Sequence, residues 1–130
     1  MPPDYAQIPG GLNIQRSVDT LSTNHVAGDY ALSGGFGTTA SVAVTLGNDS
    51  RAVIVITSAG TGQGASPTCT LTFKDGAFPV APVVLAQMGA GSQPTIPIRC
   101  VPTTTAVVMT FQGMTPVAAE TYTVNIIIRG

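Results

Sequence analysis

The chain has 130 residues, the usual size of one domain and enough to bury a hydrophobic core. Charged residues make up 8% and hydrophobic ones 44%, whereas an ordinary soluble domain is about one-quarter charged. That composition excludes intrinsic disorder, which needs low hydrophobicity, and five scattered basic residues with a net charge of −1 exclude a nucleic-acid-binding surface.

Residues 1–35 read as an extended arm. Pro2, Pro3, Pro9, Gly10, Gly11, Gly28, Gly34 and Gly35 interrupt the stretch, and no period is sustained across it. The one helical hint, 15–21, holds Ser, Val, Asp and Thr, all mediocre helix formers. The opening Met1-Pro2-Pro3-Asp4-Tyr5 has neither the basic nor the apolar region of a secretory signal peptide. Tyr5, Ile8, Leu12, Ile14 and Tyr30 are the arm's apolar anchors. Ordering such a segment costs roughly 1–2 kcal/mol of backbone entropy per residue, more than these anchors offset on an isolated domain. The arm is therefore expected to lie on a partner or a neighbouring copy, with the single histidine, His25, solvated or at that interface.

Residues 36–130 form the second unit, a run of short β-branched segments separated by turn chemistry. Segment 40–46 alternates, with Val42, Val44 and Leu46 on one face. Gly47-Asn48-Asp49-Ser50 reads as a turn rather than a glycosylation site, since no secretory signal accompanies its sequon. Residues 51–57 are apolar on both faces, which predicts a central strand or one covered by a neighbouring subunit. A Gly-rich stretch, 58–67, is expected to be a flexible hairpin loop. Segment 68–73 alternates again, with Thr68, Thr70 and Thr72 outward, and Lys74-Asp75-Gly76 carries an Asp-Gly turn signal.

A strand at 82–88 follows Pro82, and 89–94 is a loop. Segment 95–101 is confined to a sheet edge by Pro97. Strands at 105–111 and 121–129 complete the set, the first facing inward with Val107, Met109 and Phe111, the second with Tyr122, Val124, Ile126 and Ile128. No apolar run approaches the roughly 20 residues of a membrane-spanning helix, so no membrane partner is expected. The pattern predicts an all-β, jelly-roll-like β-sandwich over 36–130, preceded by the extended N-terminal arm.

The residues that carry chemistry are sparse. Cys69 and Cys100 both fall on inward phases and read as buried thiols; a bridge between them would require neighbouring strands. Two cysteines and a distant histidine are too few ligands for a metal, so no metal or cofactor is expected. Most of the acids, Asp4, Asp19, Asp29, Asp49, Asp75 and Glu120, adjoin Gly, Asn or Ser, where turn formation explains them. Two of them meeting in space would suit a glycosidase, but the chain has no Trp for a sugar platform. Gly60-Thr61-Gly62-Gln63-Gly64 follows a strand, yet no helix comes after it to hold a phosphate. The chain is expected not to be an enzyme. Thr68, Thr70 and Thr72 fit either a solvated face or an uncharged contact surface, where docking desolvates no ion.

The order of the local motifs carries a resemblance. Gly28-Asp29-Tyr30-Ala31-Leu32 leads to Gly35-Phe36-Gly37, then to Asn48-Asp49-Ser50-Arg51, a strand, and Pro67. Leu71-Thr72-Phe73-Lys74-Asp75-Gly76-Ala77-Phe78 precedes Ala81-Pro82-Val83-Val84-Leu85. Thr103-Thr104-Thr105 and Pro116-Val117-Ala118-Ala119-Glu120-Thr121-Tyr122 introduce the last two strands. From about residue 28 to 130 this order resembles the small β-domain of bacteriophage virion proteins, found at tail-fibre tips and in short head or decoration proteins.

The resemblance implies a trimeric, non-catalytic module of a virus particle. Tail-fibre chains are long, whereas this one begins with Met and a short arm. The expectation is therefore a capsid decoration or minor capsid protein that stabilises the head and is assembled into the virion in the host cytoplasm. Its partners would be copies of itself and the major capsid protein or other virion proteins. The alternative is a receptor-binding tip for a host-surface glycan or protein, with its site in loops 58–66, 89–94 or 113–116. Removing the residues before Gly28 is expected to abolish docking and leave the β domain folded.

Overall fold

The computed structural model describes residues 23–91 and 93–130. Within them lie β1 (Tyr30–Leu32), β2 (Ser41–Gly47), β3 (Arg51–Thr57), β4 (Thr68–Thr72), β5 (Val83–Gly91), β6 (Ile98–Pro102), β7 (Ala106–Phe111) and β8 (Thr121–Arg129). They form two antiparallel four-stranded sheets, ordered β1-β4-β7-β6 and β2-β3-β8-β5, packed on a shared core. The protein is an all-β sandwich with the strand number and two layers of a jelly-roll-like fold. Only β2–β3 and β6–β7 are hairpins between neighbours; every other connection passes from one sheet to the other.

Period-two alternation accounts for the core. On β8, Tyr122, Val124, Ile126 and Ile128 point inward and are almost wholly buried. Their partners on β3 are Ile56, Ile54 and Ala52, in register with Tyr122, Val124 and Ile126. From the other sheet Val107, Met109 and Phe111 on β7 face them, beside Leu71 and Cys69 on β4. Each large side chain so buried is worth about 1.5–3 kcal/mol. As expected, β3 is central, between β2 and β8, and its outer-face Val53 and Val55 are half-buried by those neighbours. The edge assignment for β6 also holds, with Pro97 just before it making a single bridge to Gln87.

The sandwich begins earlier in the chain than the sequence suggests. Residues 23–35 are part of the sandwich: β1 pairs with β4, Tyr30 opposite Leu71, and Phe36 packs edge-to-face on Phe111. Tyr30 is thus a core residue, not an arm anchor, because its ring is buried at 6% exposure. His25 is likewise buried and not solvated.

Two further expectations change. A bulge separates Val44 from Leu46, so Leu46 turns to solvent and Gly47 turns inward. A Cβ at position 47 would lie 3.2 Å from His25 Nδ1 and 3.1 Å from Ala52 Cβ. The bulge therefore places a glycine, and not a leucine, beneath the imidazole.

The Gly-rich stretch 58–67 is not a hairpin loop, because β3 and β4 belong to different sheets. It is pinned by backbone bonds: Thr39 to Ala59, Thr38 to Thr61, Gly64 to Gly35 and Ser66 to Met114. Ser58 Oγ donates to the Phe36 carbonyl at 2.7 Å inside the protein.

The loops gather at two ends. One end holds 33–40, 58–67, 93–97 and 112–120. The other holds the 47–50 turn, 73–82, 103–105, and both Thr23 and Gly130: Thr23 N–H donates to Asp75, and Gly130 lies against Phe78.

Candidate assembly surfaces

Tyr5, Ile8, Leu12 and Ile14 lie outside the described residues. The threonines occupy the outer face of the β1-β4-β7-β6 sheet as expected. Thr68 stands opposite Thr110, which in turn faces Arg99; Thr70 stands opposite Val108, which faces Val101; Thr72 stands opposite Ala106. Flanking strands half-bury Thr68 and Thr70, because β4 is central, while Thr72 is exposed. A β-branched side chain with one hydroxyl suits this pleated surface without a charge to desolvate.

The outer face of the second sheet is more apolar. Leu85 opposes Ile127, which opposes Arg51; Val83 opposes Arg129; Leu46 opposes Val53. Leu85 and Val83 are 66% and 63% exposed, and Ile127 is 49% exposed. The sequence reading passed over these three, although a signal was present. Residues 83–85 are apolar on both faces, and the parity of β8 puts Ile127 outward when Ile126 and Ile128 point in.

Negative charge is kept off both faces. The acids among the described residues, Asp29, Asp49, Asp75 and Glu120, all lie outside the eight strands, Asp29 in a single 3-10 turn, so each sheet face carries arginine but no carboxylate. Three of the acids are engaged at the end that holds Thr23. Asp49 Oδ1 accepts from His25 Nε2 at 2.7 Å and from the Lys74 N–H at 3.0 Å, and its Oδ2 accepts from the Asp75 N–H at 2.7 Å.

A carboxylate only accepts, so His25 carries its proton on Nε2, and in the neutral ring Nδ1 accepts from the Tyr30 hydroxyl at 2.8 Å. Asp29 pairs with Lys74 Nζ at 3.1 Å and accepts from the Val26 N–H at 2.8 Å. Burial pulls the Asp29 carboxyl up, but the Val26 N–H and the Lys74 ammonium outweigh it, so the group titrates below its ordinary range. Burial pushes the Tyr30 phenol well above its own. The Asp49–His25–Tyr30 chain has the order of a catalytic relay, yet its terminal hydroxyl is buried and out of reach of a substrate. It is a structural tie between the hairpin turn, β1 and the 74–75 bend.

Cys69 and Cys100 are both free. Met109 on β7 is the register partner of each, so the cysteines sit two strands apart and β7 separates them. Two strand spacings amount to roughly 9.5 Å, beyond the reach of a disulfide. Burial pushes the Cys69 thiol up to about 12 and raises that of Cys100 as well.

No family model, curated protein or solved structure matches this chain.

Proposed function

We propose that the chain is a structural assembly protein: a non-enzymatic sandwich that packs against copies of itself and against other chains, as a bacteriophage capsid decoration or minor capsid protein does. The observation that carries the reading is the pair of sheet faces without a carboxylate, one of them exposing Leu85, Val83 and Ile127 together. Contiguous exposed apolar side chains on a folded domain mark contact surfaces. The particle assignment rests on the resemblance of residues 28–130 to virion β-domains, and the arm provides a second contact apart from the sheets.

The test has two parts. Sedimentation of the purified chain should show a homo-oligomer, and particles of the virus that encodes it should contain it in fixed copy number on the head. A chain that is monomeric and absent from purified particles would sink the proposal.

One observation favours a receptor-binding tip as the second reading. Loops 58–67, 93–97 and 112–120 meet at one end, through Ser66 to Met114, Gly113 to Ser66 Oγ and Gln93 Nε2 to Thr115. Thr23 and Gly130 lie at the opposite end. Residues 89–91, expected in a loop of that site, belong to β5 instead. Purified protein that adsorbs to host cells and blocks infection would select this reading over the capsid one.

A further inference from the structure

We propose that β2 is a self-association edge, where a second copy of the chain pairs antiparallel about a twofold axis at Ala43. The proposal rests on the assembly reading above and names one of its contacts.

A sheet edge is a row of unpaired backbone groups, and folded proteins blunt such edges with charge, proline, short length or cover. Three of the four edges here are blunted. Strand β1 has only three residues. Strand β6 presents Arg99 and is bounded by Pro97 and Pro102. Strand β5 leans on β6 through the Gln87–Pro97 bridge. Strand β2 is the least protected: Ser41-Val42-Ala43-Val44-Thr45 has no charge and no proline. The strand is guarded at its Gly47 end, where it bulges between Val44 and Leu46 and the His25 N–H takes the Gly47 carbonyl.

The backbone parity is also defined. The Thr39 N–H donates to the Ala59 carbonyl at 3.1 Å, and Ser41–Thr57 and Ala43–Val55 continue that register. Hydrogen-bonded pairs alternate along an antiparallel ladder. Ser41 and Ala43 therefore bond to β3, while the N–H and C=O groups of Val42 and Val44 point off the sheet, and no described residue takes them. The side chains of Val42 and Val44 face the core but stay half-buried, whereas Ile54 and Ile56 next to them are at 0% exposure. Something alongside β2 would finish covering them.

The occupant is identified by the strand's own sequence. Ser-Val-Ala-Val-Thr reads nearly the same in reverse. Antiparallel pairing of two copies centred on Ala43 sets Val42 opposite Val44, Ser41 opposite Thr45 and Ala43 opposite itself. Every pair matches in size and polarity, and no like charges meet, as an isologous contact requires. The same centre makes Val42–Val44 the hydrogen-bonded pairs, which agrees with the groups that point outward. The result is one continuous eight-stranded sheet across the dimer, built from two four-stranded halves.

The experiment uses the full chain. Ala43 faces its copy as a non-hydrogen-bonded pair, about 4.5 Å apart at Cα, within disulfide range. Ala43→Cys should give a covalent dimer on oxidation, while Thr72→Cys on the opposite sheet should not. Ser41 and Thr45 are exposed, so charge can be added there without touching the core. The double variant S41K/T45K should weaken the dimer at least tenfold by sedimentation, and S41K/T45E should keep it, with unchanged circular dichroism for both. An oligomer that survives S41K/T45K, with no cross-link at position 43, overturns the edge pairing and leaves the assembly reading standing. A chain that is monomeric at every concentration overturns both.

Discussion

Asp49 and His25, 24 residues apart in sequence, meet at 2.7 Å between Oδ1 and Nε2, and this contact ties three pieces of chain together. The imidazole is fully covered and the carboxylate nearly so. The same carboxylate caps the Lys74 and Asp75 N–H groups, so one turn residue organises a whole end of the sandwich. Its neighbour Asn48 shapes the turn itself, accepting from the Ser50 and Arg51 N–H groups.

Asp49→Ala should cost about 2–3 kcal/mol, because it leaves the His25 Nε2–H and two backbone N–H groups without their charged acceptor. Asp49→Asn should cost less, since an amide oxygen still accepts one or two of those bonds. Urea unfolding at neutral pH measures both, and equal losses for the two variants would contradict this account.

The boundary between arm and domain follows from the same contact. A chain starting at Thr23 should unfold within a few degrees of the full-length protein. One starting at Gly28 loses His25 and should lose about 2 kcal/mol, roughly 10 °C for a domain of this size. Thermal melts of the two truncations would settle where the folded unit begins.

The thiols should differ in reactivity. Cys100 is half-buried and should react with a thiol reagent in the folded protein, whereas Cys69 should react only on unfolding. Non-reducing mass spectrometry should find no bond between them. Because the folded pKa of Cys69 and of Tyr30 is raised, their contribution to stability is complete below the unfolded values. It is lost as pH rises above about 9, where the unfolded chain releases protons first. Stability measured from pH 7 to 11 should fall across that window, and less so for Cys69→Ala corrected for its lost packing.

Asp29 acts in the opposite direction. Its folded pKa is depressed, so its contribution is present above the ordinary carboxylate value and lost as pH falls through the lower folded one. The Lys74 pair is partly exposed, and the effect should be small and sensitive to salt. Asp29→Asn should flatten the acid limb of the stability curve at low ionic strength; an unchanged limb would remove Asp29 from the explanation.

What the sequence determined by itself was local. Alternation assigned the inward sets on β7 and β8 correctly, and the outward threonines of β4, because side-chain direction in a strand has period two whatever the partner. Two-sided apolar character placed β3 in the interior of a sheet, and Pro97 put β6 at an edge, since proline removes a ladder donor. The scarcity of charge pointed to uncharged sheet faces, and parity along β8 would have located Ile127 on one of them.

Only the tertiary structure decided which strands are neighbours, for hydrogen-bond partners distant in sequence leave no local mark. That choice separated Cys69 from Cys100 by β7, turned the 58–67 loop into a pinned crossover, and put β2 at a sheet edge. It also drew Tyr30 and His25 out of the arm and into the core. A lone histidine in an irregular stretch reads as solvated until Asp49, in the turn after β2, supplies the acceptor that makes its burial affordable.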